Sequence, residues 1–494
     1  MEEGRNCWRV EPVKRAAVIV DADDYYRLVR QAMMNAREQI LLIGWDFDTR
    51  IYLDPKRRAK DGAPVKLGRF VTWLARRRPE LQIHILKWDV GVLKLVWRGS
   101  TVIRVLRWAA DKQIHFKLDG AYSPAASHHH KIVVIDDSLA FCGGIDMTGA
   151  RWDTSEHRDN DPGRKWPTGR PYPPWHDATM AVDGAVAKSL GELGRERWKT
   201  ASGEDLPVPR QSEDIWPEEL EPNFRDAEIA IARTRGSADA ADEIREIEAL
   251  FVDQIGRARS FVYAETQYFA SRVIAEAIAK RLGEPDGPEF LIVNPKTADG
   301  WLEETVMGAA RVQLIELLAK ADTHGRFRIY TPVTADGDDI YVHAKVMIVD
   351  DRMFRIGSAN MNNRSMGQDS ECDLAIDTGR AANAGFVETI ATLRTRLMAE
   401  HLGTTPEQVA DAFGETRSLI ATVERLRGEG RTLVPFEPPE ISEAARKVAE
   451  SELLDPEGAA YEPLRQGGLS GNLRHIARRR SARRAARRRT RARS

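Results

Sequence analysis

The stretch Ser127–Asp146, SHHHKIVVIDDSLAFCGGID, returns in altered form as Tyr341–Asn360, YVHAKVMIVDDRMFRIGSAN. Set side by side, His129 falls on His343, Lys131 on Lys345, Asp136 on Asp350, Gly143 on Gly357 and Asp146 on Asn360, all at a spacing of 214 positions. Five polar or glycine matches at one constant offset mark an internal duplication. Residues two apart on an extended chain face the same side, so His129 projects with Lys131 and His343 with Lys345. His130 faces away, and its counterpart Ala344 shows that the position carries no required chemistry. The runs after the lysines, IVVI and VMIV, read as strands buried on both faces, which hold the preceding pair on a rigid element. The Gly-Gly and Gly-Ser that follow allow a tight turn, bringing Asp146 or Asn360 near the histidine's strand.

Outward from the first copy, REQILLIGWDF, LQIHILKW and IHFKLDG read as strands, with LGRFVTWLARRRPE as a helix between the first two. The second copy has the same surroundings: the helical ADEIREIEALFVDQIGR, then ARSFVYAETQYF, EFLIVNPK, the helical ETVMGAARVQLIELLAKA, and RFRIYTP. The expected fold class is α/β, two similar α/β/α sandwich units packed as a pseudo-twofold tandem with a disordered basic C-terminal tail. The expected divisions are a first unit over 1–205, a linker over 206–225 containing four prolines, a second unit over 226–440 with C-terminal helices, and a charged tail over 441–494.

The chain of 494 residues is 42% hydrophobic, enough for two such cores. Cys7, Cys142 and Cys372 are too few and scattered for a disulfide framework, and Cys142 and Cys372 read as small buried hydrophobes. The N-terminal residues lack a signal-peptide pattern, and no apolar run approaches the roughly 18–20 residues of a membrane span. A cytoplasmic protein with peripheral membrane association is expected. The net charge of −1 hides an asymmetry, because the last 21 residues hold 11 arginines and no acid, leaving −12 on the rest. Such a tail suits polyanions, either anionic lipid headgroups or, less favoured, nucleic acid.

Two histidines and two lysines around one pocket suit a phosphodiester. One histidine can attack phosphorus while the other protonates the leaving alcohol and then activates water. Lys131, Lys345 and Asn360 would stabilise the charge on the non-bridging oxygens. No metal or other cofactor is demanded, and the triplet His128–His130 is a poor metal site because consecutive strand residues point to opposite faces. Asp136 and Asp350 read equally well as structural. Among the tryptophans, Trp45, Trp88 and Trp166 read as core or rim, and Trp152, Trp175 and Ser358 are the candidate substrate contacts.

The doubled HxKxxxxD pattern, each copy followed by Gly-Gly or Gly-Ser and an Asp or Asn, resembles the signature of the phospholipase D superfamily over roughly residues 15–405. FCGGIDMTGARWDTSEH, PWHD, AETQYF and EHLG are similar to its eukaryotic-type phosphatidylcholine-hydrolysing branch. The resemblance implies a phosphodiesterase in which His129 is the nucleophile and His343 the general acid. A carboxylate should orient each imidazole. The resemblance gives Glu371 to His343, and Asp153 is favoured for His129 with Asp159 and Asp161 competing. A monomeric, metal-independent lipid-degrading hydrolase is expected, releasing phosphatidate and supporting transphosphatidylation. The same chemistry also admits a cardiolipin-synthase-like phosphatidyltransferase or a metal-independent nuclease, and a non-catalytic polyanion-binding protein is a further alternative.

Overall fold

A computed structural model describes residues 1–439 apart from 57, 59, 89–104, 106, 109, 121–125, 211–212, 238–242 and 298–306. The Arg-rich tail lies outside the described residues.

Among the described residues the apolar runs build one continuous mixed sheet of 16 strands. From one edge, the first half contributes Ile114–Asp119, Gln82–Trp88, Gln39–Gly44, Ile132–Ile135, Leu139–Gly143, Ala178–Asp183 and Arg9–Val20. The second half follows as Phe224–Arg235, Glu371–Asp377, Met353–Gly357, Val346–Val349, Phe261–Glu265, Glu289–Val293, Phe327–Val333 and Thr432–Pro435, with Ile244–Arg245 attached beside Phe224–Arg235. The second half repeats the first in reverse order, with one extra strand at the edge. The seam is the antiparallel pairing of Arg9–Val20 with Phe224–Arg235, which sets Val13 opposite Ala227. In both halves the outer three strands of the repeat run parallel, with Leu67–Arg77, Arg272–Leu282 and Ala309–Ala321 as crossover helices among the described residues, and the motif hairpin is antiparallel.

The pleat explains why the apolar runs are unbroken. Ile40, Leu42, Val133 and Ile135 face one way and pack with Tyr25, Leu28 and Val29 of the helix Ala22–Asn35. Leu41, Ile43, Ile132 and Val134 face the other way, into a core shared with Tyr263, Val346 and Ile348 of the second half. That shared core is roofed by Gly184–Ser202 through Leu190 and Trp198 and by Val387–Leu402 through Leu393 and Leu397. On the opposite face the second half has its own core, in which Val262, Ala264, Met347 and Val349 meet Ile247, Leu250 and Phe251 of Glu246–Arg257. With about 2 kcal/mol from each fully buried aliphatic side chain, both faces of every motif strand contribute to holding it in place.

Between the halves the proline-containing segment buries Ile215 and Leu220 against the first core, and Gln39 donates to the Pro207 carbonyl at 3.1 Å. After Gly403, which closes Val387–Leu402 in the left-handed conformation at φ 60°, Pro406–Thr416 and Leu419–Leu426 are helical as the sequence suggests. Among the described residues no helix is long and apolar enough to cross a membrane.

Candidate active site

Each motif strand begins one residue after its lysine, at Ile132 and Val346, so the histidines and lysines lie on the extended segments leading in. Those segments are fastened by the opposite half. His129 N–H donates to the Ser370 carbonyl at 3.0 Å and Ser370 N–H to the Ser127 carbonyl at 3.0 Å. In the other copy, Tyr341–Val342 pairs in parallel with Trp175–His176, and His343 N–H donates to the His176 carbonyl at 2.8 Å. The residue after each fastening point is a buried carboxylate that reaches the histidine ring. Glu371 lies 2.9 and 3.0 Å from His129 Nδ1, and Asp177 lies 2.6 Å from His343 Nδ1.

This exchange corrects two expectations. Glu371 serves His129, not His343, because the duplication crosses its partners at the seam. Asp153 does not reach His129: it pairs with His157 at 3.0 Å and with Arg164, and accepts Trp175 N–H at 2.9 Å. Asp159 accepts Asp336 N–H and Asp161 accepts Gly163 N–H, both away from the ring. The carboxylate on His343, expected to be Glu371, is Asp177. Its signal was the repeat itself, since Asp177 and Glu371 each stand two residues before the residue paired with the motif glycine, Thr179 with Gly143 and Asp373 with Gly357. The loop from Asp146 to Asp177 is 20 residues longer than that from Asn360 to Glu371, which breaks the constant offset.

The motif aspartates are structural. Asp136 and Asp350 sit at the far ends of the strands, in three-residue turns where Asp136, Asp137, Asp350 and Asp351 all have φ of 51–54°. Asp136 accepts the N–H groups of Arg37, Glu38 and Gln39, and Asp350 those of Arg259, Ser260 and Phe261, at 2.6–2.9 Å. They fix the start of the neighbouring strand and stand apart from the imidazoles. Asp137 and Asp351 complete the plan with paired hydrogen bonds to Arg195 and Arg394.

The lysines are buried. Lys131 Nζ donates to the His129 carbonyl at 3.0 Å and lies 3.5 Å from Asp146, while Lys345 Nζ donates to the His343 carbonyl and to Gln267 at 3.4 Å. Burial, with the charge of Lys131 beside it, brings Lys345 down to about 7. Burial and the lysine charges hold both imidazoles well below 6.5, and His129 feels Lys345 as His343 feels Lys131. The two motifs therefore share one electrostatic site. Burial raises Asp177 to about 6 and Glu371 to about 7. Glu371 accepts hydroxyl hydrogen bonds from Ser358 at 2.5 Å and Ser365 at 2.7 Å, so Ser358 supports the carboxylate.

Asp146 accepts Trp45 N–H at 3.1 Å, and Asn360 is buried with Oδ1 lacking a hydrogen-bond partner. Trp175 stacks on Tyr341 at 4.5 Å, lies 5.1 Å from the His343 ring and carries the Arg151 guanidinium at 4.0 Å. Trp152 is set back from the histidines, donating to Asp23 at 3.0 Å and lining a cavity of about 340 Å³ with Tyr26, Trp166 and Tyr172. His128 and His130 are fully buried: His128 lies 2.9 Å from Asp119, and His130 Nε2 is 3.1 Å from the Glu371 carbonyl oxygen. His130 thus has a structural contact that its alanine counterpart concealed.

Sequence and structure comparisons follow the same lines. A family profile described as Phospholipase D matches residues 32–275 and 325–431. Phospholipase D A of Dictyostelium discoideum is 25% identical over 78% of this chain and 35% of its own length. Phospholipase D1 of Schizosaccharomyces pombe gives 25% over 78% and 35%, and phospholipase D alpha 1 of Vigna unguiculata 24% over 75% and 63%. The chain thus spans about a third of the first two relatives and under two thirds of the third. In fold it is similar to the phosphatidylserine synthase of Haemophilus influenzae, with a TM-score of 0.53 at 14% identity over 82% of this chain and 95% of that one. With the profile covering both motif copies and well over half of the chain, the chain belongs to the phospholipase D family.

Proposed function

We propose that the chain is a phospholipase D that hydrolyses the distal phosphodiester of glycerophospholipids, phosphatidylcholine foremost, to phosphatidate and an alcohol. The observation that carries this reading is the pair of imidazoles, each held through Nδ1 by a buried carboxylate from the opposite half and each accompanied by a buried lysine that donates to the histidine's carbonyl. With Nδ1–H donated to Glu371, His129 Nε2 has a free lone pair. It attacks phosphorus as the bond to the headgroup oxygen breaks, and His343 Nε2–H passes its proton to that oxygen. Water then attacks the phosphohistidine, gives a proton back to His343 Nε2 and breaks the N–P bond. A primary alcohol in place of water yields a phosphatidyl alcohol. Burial and then the lysine charges disfavour a protonated His343, and a bound phosphodiester anion offsets those charges, which supports proton loading with substrate in place. The 11 arginines of the last 21 residues would draw the enzyme to anionic membrane.

Phosphatidylcholine vesicles incubated with the full chain, 1-butanol and EDTA test the proposal. Choline release with phosphatidate and phosphatidylbutanol is expected. No product from any headgroup in a lipid panel sinks it, and degradation of DNA in the same buffer would redirect it to a nuclease.

A further inference from the structure

Behind Asp177 lies a second group of buried titratable side chains that the proposed chemistry does not touch. The first half supplies Asp21, Asp153, His157 and His176, and the second supplies Glu265, Glu400 and His401. His176 Nε2 lies 2.9 Å from Glu265, whose other oxygen is 3.1 Å from His401 Nε2 and accepts the Tyr263 hydroxyl at 2.5 Å. His176 Nδ1 is 2.7 Å from Glu400 Oε1, which also lies 3.2 Å from His157 Nε2. His157 Nδ1 is in turn 3.0 Å from Asp153.

These contacts end on the backbone around the His343 pair. Asp21 N–H donates to the Asp177 carbonyl at 2.7 Å and Asp177 N–H to Asp21 Oδ1 at 3.2 Å, while Asp153 receives Trp175 N–H. The His176 carbonyl is the acceptor that catches His343 N–H. The backbone from Trp175 to Asp177 and the strand that presents His343 therefore hang on side chains tied to Glu400 and Glu265.

Resting on the phospholipase D reading above, we propose that Glu400 is a positioning residue. From the end of Val387–Leu402 it clamps His176 and His157 and so sets the angle at which Asp177 holds His343 for proton transfer. A displacement of about 1 Å at such a site costs on the order of 100-fold in rate. Asp21, His157, His176 and Glu400 also make a donor set of the kind divalent metals use, with atoms within 4.8 Å of one another. The 2.7 Å between His176 and Glu400 is the spacing of an ion pair, shorter than the ~3.3 Å between donors held at about 2.0 Å from tetrahedral zinc. The geometry favours the clamp.

The leaving group separates positioning from general weakening of the fold. Phosphatidylcholine needs a proton on its departing alkoxide, whereas phosphatidyl-p-nitrophenol expels a phenolate that does not. Glu400→Gln is expected to slow choline release about 10–100-fold at unchanged KM, while the first-turnover burst of p-nitrophenol stays within about twofold of wild type. Glu400→Asp, which keeps the carboxylate, should recover part of the choline rate and serves if the glutamine variant does not fold. Equal losses on both substrates, or none on either, overturn the proposal while leaving the enzymatic reading intact. A wild-type chain inactive on both substrates overturns the enzymatic reading and the positioning role with it. One equivalent of tightly bound zinc in the purified wild type, lost in Glu400→Gln, overturns the clamp in favour of a metal site.

Discussion

The His129–Glu371 and His343–Asp177 pairs are the same construction made twice, with the support behind each carboxylate exchanged for something different. Glu371 leans on the hydroxyls of Ser358 and Ser365. Asp177 accepts the Ala178 amide at 2.8 Å and has the histidine–carboxylate cluster at its back. Ser358 has its repeat counterpart in Gly144, where a Cβ would stand 2.1 Å from Asp177 Oδ1. A serine cannot fit there, so the second pair gave up a hydroxyl donor and drew its support from the interior. The duplication preserved the ring–carboxylate pairing and let the support behind each carboxylate diverge, a difference that the proposed division into nucleophile and acid can use.

The comparison breaks most sharply if the two histidines prove equivalent. His129→Ala is expected to remove at least about 10⁴-fold of turnover and all 32P-labelled enzyme on every substrate. His343→Ala should lose about 10²–10⁴-fold on phosphatidylcholine yet still trap label from phosphatidyl-p-nitrophenol. Labelling of His343→Ala alone supports the division of roles, and labelling of His129→Ala alone reverses it.

The glycine–serine asymmetry gives the next effect. Gly144→Ser should push Asp177 off His343 and lower kcat about 100-fold, whereas Ser358→Gly removes one hydroxyl from Glu371 and should cost about 10-fold. Equal losses would mean the two carboxylates are supported alike.

The smallest effect concerns stability. Lys345, brought down to about 7 by burial, is charged in both folded and unfolded chains below pH 7, where its full desolvation cost is present. Between pH 7 and the ordinary lysine value of 10.5 the folded form is neutral, and the cost fades as pH rises. Lys345→Met, inactive, should melt about 2 °C or more above wild type at pH 6, with the gain shrinking toward pH 10 in a thermal-melt series. A gain independent of pH would show that the lysine charge is not the source.

The duplication, the strands and the motif side chains were legible because a constant offset and period-2 faces are local properties of the chain. The exchange of carboxylates was not, since it depends on where the two halves meet. The sequence therefore led to Asp153 for His129 and to Glu371 for His343. The DD pairs could have been read from turn chemistry, as two adjacent positive-φ residues opening a three-residue hairpin connection. The fragments RWDTSEH, PWHD, AETQYF and EHLG were visible one by one, but nothing in their spacing announced that Asp153, His157, His176, Glu265, Glu400 and His401 would form one buried group.

The crossed carboxylates also give the protein a clock. His129 leaves the ribosome 242 residues ahead of Glu371. At about 5–20 residues per second the first motif waits roughly ten to fifty seconds for its partner. For all of that interval a nascent chain already holding the first histidine and lysine lacks the carboxylate that orients His129, so the proposed chemistry stays silent while most of the chain is being made.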